Sequence, residues 1–304
     1  MVVDLSQLKK YEDLSLSQWI AIGKKLGGLE KIIGLLQGDL EAGVRKAEKA
    51  LFDRHGRRIP RDLKAEVCDA GPNFMFDPLA LSIEQSAERM VRVEKYLGIN
   101  LGMTSDGFCQ RGISLLKALE TNKQISNIMR GVWLPIVLPK LDDNYIYIGE
   151  ALENWINAAG KSYSEIFPGR RFHNHRQGDL ADQVRIASGS QQQLLAKMTE
   201  HTVVGIYFPN PLQGFSVEAQ REQMATLPEG FVLSAFDTVM AMIMYPDVLA
   251  RGNQTPRLDL SAFSWNNPAS SLFFSPRDSE MHLADRSCLY DALNSFSGSL
   301  LFIG

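Results

Sequence analysis

The chain has 304 residues, 45% hydrophobic and 22% charged, with a formal net charge of −3. That length can bury a sizeable core in one large domain or two modest ones, and the near-balanced charge excludes a chain-wide demand for nucleic acid or an anionic membrane. Mean hydropathy is −0.12, and no apolar run reaches the roughly 18 residues a membrane-spanning helix needs; the longest, 231–249, is interrupted by Asp237, Pro246 and Asp247.

The first ten residues include Asp4, Lys9 and Lys10, with none of the apolar stretch of a secretory signal behind them. Ser15 or Ser17 caps a predicted helix through Trp19, Ile20, Ile22 and Leu26, and Gly27-Gly28 breaks it. Leu29, Ile32, Ile33 and Leu36 recur at helical spacing up to Gly38, and a third helix is expected over 40–52. Together these read as a helix-turn-helix-like unit. The stretch 70–78 holds Gly71, Pro72, Asn73 and Pro78, which is loop chemistry. Ser82 and Gln85 have capping-box spacing for a helix to Leu97, ended by Gly98, and another helix is predicted over 109–129.

Beyond that point the pattern shortens. Residues 132–138 and 145–148 read as strands, 150–159 as an amphipathic helix, and 167–189 as mostly irregular with one helical turn near Leu180. A helix at 191–200 leads to a strand at 202–208, a turn at 209–214 and a helix capped by Ser216. A strand at 231–235 and a helix opened by Asp237 or Thr238 follow. This order suggests a parallel pairing of the two strands. Short strands are expected at 257–263, 271–274, 281–284 and 300–303. The predicted fold class is α+β: a helical N-terminal part followed by a mixed α/β C-terminal part with a small sheet. The expected domains are a small helical module over 1–70, a helical connector over 71–130 and a mixed α/β domain over 131–304.

Four features could carry chemistry. His173 and His175 fall on one face of a strand, and with His201, His282 or Asp237 they could share a metal. Arg170, Arg171 and Arg176 crowd them with positive charge, so no metal is assigned. The same segment with Arg185 is a basic loop whose guanidinium forks suit phosphate or carboxylate; its ordinary reading is a solvated loop paired with the protein's own acids. Arg45, Lys46, Lys49, Arg54, Arg57, Arg58 and Arg61 form a basic run that could grip nucleic-acid phosphate. No aromatic platform interleaves it, and a solvated helix face is the simpler account. Asp237 and Ser216 would lie beyond strand ends, where α/β ligands gather, yet both suit ordinary helix caps.

Dinucleotide and P-loop glycine patterns, a Gly-x-Ser-x-Gly elbow and His-Glu-x-x-His are all missing. Cys68, Cys109 and Cys288 are widely spaced and odd in number, which speaks against a disulfide framework and for a reducing, cytoplasmic setting. No cofactor is implied. Three readings follow: a cytoplasmic partner- or ligand-binding protein without a catalytic motif; an enzyme acting on an anionic small molecule with a pocket near the 167–189 loop, using His173, His175 and Asp237 as catalytic groups and Arg170, Arg171, Arg176, Arg185 and Ser216 for binding; and a nucleic-acid-associated protein using the 45–64 face. The enzyme reading requires His173, His175 or Arg176 to share a cavity with Asp237. The partner reading requires an exposed apolar patch.

Overall fold

Helix boundaries in this chain are written in local capping chemistry, and sheet order is written in distant pairings. The computed structural model describes residues 15–40, 49–78, 81–141 and 147–304, and the chain divides into two units, Met1–Glu48 and Lys49–Gly304.

Within the first unit, residues 15–40 form a helical hairpin. Helix α1 (Leu16–Lys25) starts at a capping box: the Gln18 N–H donates to Ser15 Oγ at 3.3 Å, and the Ser15 N–H donates to Gln18 Oε1 at 2.7 Å. Helix α2 (Leu29–Gln37) is entered through Gly28 (φ 90°) and left through Gly38 (φ 80°), conformations that favour glycine. Gly23 lets the hairpin close, since a Cβ there would stand 3.1 Å from Ile32 Cδ1. Of the third helix expected over 40–52, residues 41–48 lie outside the described residues. Residues 49–52 are not helical; Phe52 is buried and bridges to Arg58.

The second unit is α+β. Its helices are α3 (Ile83–Glu88), α4 (Met90–Leu97), α5 (Ser105–Thr121), α6 (Ile148–Ile166), α7 (Gly189–Glu200), α8 (Val217–Gln223), α9 (Phe236–Met244) and α10 (Pro246–Leu249). Its strands are β1 (Leu134–Leu138), β2 (Arg171–Asn174), β3 (Val184–Ile186), β4 (Val203–Gln213), β5 (Phe231–Leu233), β6 (Arg257–Asp259), β7 (Phe263–Trp265), β8 (Ser271–Pro276), β9 (Glu280–Arg286) and β10 (Phe296–Phe302). The Ser82–Gln85 capping box forms and Gly98 (φ 67°) ends α4 as expected. The helix is interrupted between α3 and α4 at Arg89, whose guanidinium forks onto Asp247 at 2.6 and 2.8 Å.

Strands run in the order β1-β4-β10-β6-β8-β9-β2, with β5 also on β10. The parallel pairing expected for 202–208 and 231–235 is corrected. Both strands pair antiparallel with β10, the last strand of the chain, so they point the same way but are not neighbours. The core gathers around α9, every residue of which is buried; it packs on β1 and β4 and against α6. Among the described residues no helix is long and apolar enough to cross a membrane.

Two further expectations change. Residues 145 and 146 of the strand expected over 145–148 lie outside the described residues, and Ile148 opens α6. The segment 167–189 is ordered: β2 pairs parallel with β9, and β3 pairs antiparallel with β7 in a separate two-stranded ribbon. Strands of three or four residues carry little periodic signal of their own. Their order comes from partners near the C-terminus.

Candidate functional site

The edge of the large sheet carries the densest group of titratable side chains around the predicted residues. Register sets Arg171 opposite Glu280 and His173 opposite His282. The His175 N–H continues the ladder to Leu283 O at 3.1 Å. Because strand side chains alternate, Arg171, His173 and His175 share a face with Glu280 and His282. The three imidazoles cluster with nearly parallel planes, with ring centroids 5.1 Å apart from His282 to each of the others and 6.1 Å apart from His173 to His175.

A hydrogen-bonded chain runs through this cluster. Glu280 Oε2 lies 3.0 Å from His282 Nε2, and His282 Nδ1 lies 2.8 Å from His175 Nε2. An ionised carboxylate only accepts, so His282 donates from Nε2 and, when neutral, accepts at Nδ1 from His175. Burial pulls the His282 pKa down, partly opposed by the bond to Glu280. The Glu280 carboxyl is held below its ordinary value, first by His282 and then by Arg171 and His173. The chain is therefore a polarised relay ending on an exposed imidazole. A metal site needs nitrogen lone pairs that converge. Here the rings lie nearly parallel, at 13 to 26° to one another, and two nitrogens are bonded to each other. Among the described residues no group of three or more His, Cys, Asp or Glu has metal-holding geometry.

The arginines of this segment have mostly local partners. Arg171 pairs with Glu280, and Arg176 pairs with Asp285 through Nε at 2.7 Å while its guanidinium lies 4.4 Å over Trp265. Arg170 donates to Arg251 O at 2.5 Å. Arg185 stands apart: it donates to Val184 O at 2.9 Å and has no carboxylate in ion-pair range among the described residues.

Ser216 and Asp237 lie inside the protein. Ser216 accepts the Ala219 N–H at 3.2 Å as the N-cap of α8. Asp237 has no exposed surface and accepts from Ser234 Oγ and, at 2.8 Å, from the Ala235 N–H. Burial pushes its carboxyl up to about 6. Neither residue lines a described cavity with His173, His175 or Arg176.

The basic run is interrupted. Arg45 and Lys46 lie outside the described residues, and Lys49 and Arg54 are exposed. Arg58 is buried: it donates to Leu51 O at 2.8 Å, Ile59 O at 3.0 Å and Thr226 Oγ1 at 2.8 Å, and burial pulls its pKa down to about 10. Arg57 is half-buried, and Arg61 donates to Ala50 O at 2.8 Å. Arg58 thus ties the chain to itself and presents nothing to a phosphate backbone.

Sequence reasoning missed Glu280 and Asp285. A signal was present: Glu280-x-His282 repeats the i, i+2 spacing of His173-x-His175, and two such pairs invite a shared strand face. The hairpin is the other unusual surface. No residue of α1 or α2 is buried, and nine of the sixteen exposed large apolar side chains among the described residues fall within 15–40. Comparison of the chain with family models, with curated proteins and with solved structures found no match in any of the three.

Proposed function

We propose that this protein works by binding another protein chain, and that the hairpin 15–40 is its docking element. The observation that supports the reading is the apolar surface of α1 and α2. Leu16, Trp19, Ile20, Leu29, Ile33 and Leu36 are between 42 and 82% exposed. Scattered exposed leucines are ordinary, but a contiguous set on one short element is the mark of a contact surface. Isolated helices shorter than ~12–15 residues are marginal in water, and these have 10 and 9 residues. Their stability has to come from something that covers them.

The occupant we favour is a second copy of the same hairpin. A stable interface buries about 800 Å² per partner, an area that nine large side chains can supply. Lys24, Lys25 and Lys31 against Glu30 and Asp39 leave the hairpin close to neutral, so two copies do not repel. Four short helices from two copies would make a small bundle, and two-fold dimers are the commonest oligomers.

The test is the mass of the full chain in solution at micromolar concentration, by light scattering after size exclusion. A dimer is expected, and Trp19→Glu combined with Leu36→Glu should return it to a monomer with the far-UV spectrum of the larger unit intact. A parent chain that is monomeric, or a dimer indifferent to both substitutions, overturns the reading. So does binding of the parent to anionic vesicles in place of self-association, because the apolar face would then belong to a lipid surface.

A further inference from the structure

We infer that the ribbon of β3 and β7 floors a binding site for a small hydroxylated anion, a phosphate monoester or a hydroxy acid. The inference is independent of the hairpin. It starts from register: Arg185 lies opposite Ser264, Val184 opposite Trp265 and Ile186 opposite Phe263. Side chains directly opposite one another in an antiparallel pair share a face, so the ribbon has two unlike sides. Val184 and Phe263 are buried in the core, and Ile186 and Trp265 pack against it. The other side is polar, and Gln183, Arg185, Ser264 and Asn266 line a cavity of about 330 Å³ whose remaining wall includes Ile186, Ala187 and Pro268. Arg221 of α8 forms part of the wall.

Two side chains on this face have no hydrogen-bond partner among the described residues. Ser264 is only 7% exposed, and its hydroxyl has no hydrogen-bond partner among the described residues. The side-chain amide of Asn266 is exposed and likewise has none, and its backbone sits at φ 62°, a left-handed conformation that asparagine tolerates better than most residues. The Asn266 N–H is fixed to Gln183 O at 2.9 Å, which holds the turn against the other strand. Ser264 therefore presents a free hydroxyl directly across the ribbon from Arg185, whose guanidinium is exposed and meets only the Val184 carbonyl, and the two strands together offer donors to a ligand in the cavity.

Charge and size define the class. Arg221 is already committed: it donates to Glu218 at 2.9 Å and to the Ser261 and Phe263 carbonyls at 3.0 Å each. It is therefore a rigid wall, while Arg185 is the group left to fork onto an anion. Asp182 also lines the cavity, with its carboxylate near the Gln183 amide at 3.3 Å. A carboxylate at the margin disfavours a bare or highly charged anion and accepts from a ligand hydroxyl. The volume is at the low end for small-molecule sites, which run from ~300 to 1,000 Å³.

Calorimetric titration of the full chain tests this, with glycerol phosphate and glycerate as probes and inorganic phosphate and acetate as their hydroxyl-free counterparts. Saturable one-to-one binding of at least one hydroxylated probe is expected, several-fold tighter than its counterpart; which one binds separates phosphate from carboxylate recognition. Arg185→Ala should weaken it at least tenfold, Ser264→Ala several-fold, and Lys117→Ala, exposed on α5 and outside the cavity, not at all. Loss of affinity with an unchanged melting temperature marks a ligand contact and not a structural one. Binding that is equal in the parent and Arg185→Ala overturns the inference, as does no saturable binding of either hydroxylated probe.

Discussion

Replacing Arg286 by methionine should destabilise the larger unit by about 3–5 kcal/mol at neutral pH, the usual consequence of removing one partner from a buried ion pair. Asp259 on β6 has no exposed surface, and the Arg286 side chain at the end of β9 is 8% exposed. Arg286 Nη1 lies 3.4 and 3.5 Å from the two Asp259 oxygens, while Gln220 Nε2 donates to Oδ2 at 2.9 Å. Arg286 also donates to Cys288 O at 3.0 Å and Asp291 O at 2.8 Å. Without it, one amide is left to hold a buried carboxylate. Burial already raises the Asp259 pKa, opposed first by Arg286 and then by Gln220, and removing the arginine raises it further. A carboxyl whose folded pKa lies above its unfolded value favours the folded state when protonated, and that stability is lost as pH rises through the folded pKa. The defect in Arg286→Met should therefore grow from acidic to alkaline pH. Urea unfolding of Arg286→Met, Asp259→Asn and the double variant gives the coupling. The double variant should recover most of the loss, because no buried charge remains. A single-variant loss below about 1 kcal/mol, or a double-variant loss equal to the sum of the singles, would refute the reasoning.

Gly149→Ala should cost about 3 kcal/mol, the upper range for overpacking, because its Cβ would fall 2.6 Å from Ala181 O and 2.5 Å from the Leu180 carbonyl carbon, and backbone cannot step aside; Gly252→Ala, with nothing nearby, should leave the melting temperature unchanged. Asp237→Asn should flatten the pH dependence of stability between about 4 and 6, since the parent carboxyl, raised to about 6 by burial, makes the folded state less stable as pH rises through that window; an equally steep profile in the variant, read from thermal melts across pH, would count against it. Glu280→Gln should move the His282 titration, followed by NMR, to lower pH than in the parent, because the carboxylate is the first group that supports its imidazolium; an unmoved titration would remove the polarised chain.

The elements legible in the sequence are those whose cause lies within a few residues. Ser82 with Gln85, Ser216 before α8 and Gly98 after α4 each set a helix end through their own side chain or backbone freedom. The segment 167–189 defeats local reading because β2 and β3 are held by β9 and β7, and nothing in Arg171–Asn174 says that Glu280 will lie alongside. β10 makes the same point for the sheet: a strand at the end of the chain separates β4 from β5 and cancels a pairing that their order alone suggests. Of the candidate residues, the histidine pair and Arg185 were visible by type and spacing. Glu280 was hidden because its role depends on register, and Ser264 because its role depends on what its hydroxyl lacks.

Long-range assembly also separates two kinds of defect at the ribbon cavity. β3 follows Leu180, which is fully buried, and whose carbonyl abuts Gly149 at the start of α6. α8 carries Gln220 and Arg221 side by side: Gln220 joins the Asp259–Arg286 pair, and Arg221 walls the cavity. Gly149→Ala and Arg286→Met thus disturb the supports of the cavity while leaving Arg185 and Ser264 in place. A ligand that binds only the folded state raises stability by RT ln(1 + [L]/Kd). For these two variants, affinity and stability should fall together. For Arg185→Ala, affinity should fall alone, because that guanidinium supports no backbone beyond the Val184 carbonyl. The distinction rests on one physical point: a binding group contributes to stability only through the ligand, whereas a supporting group contributes with or without it.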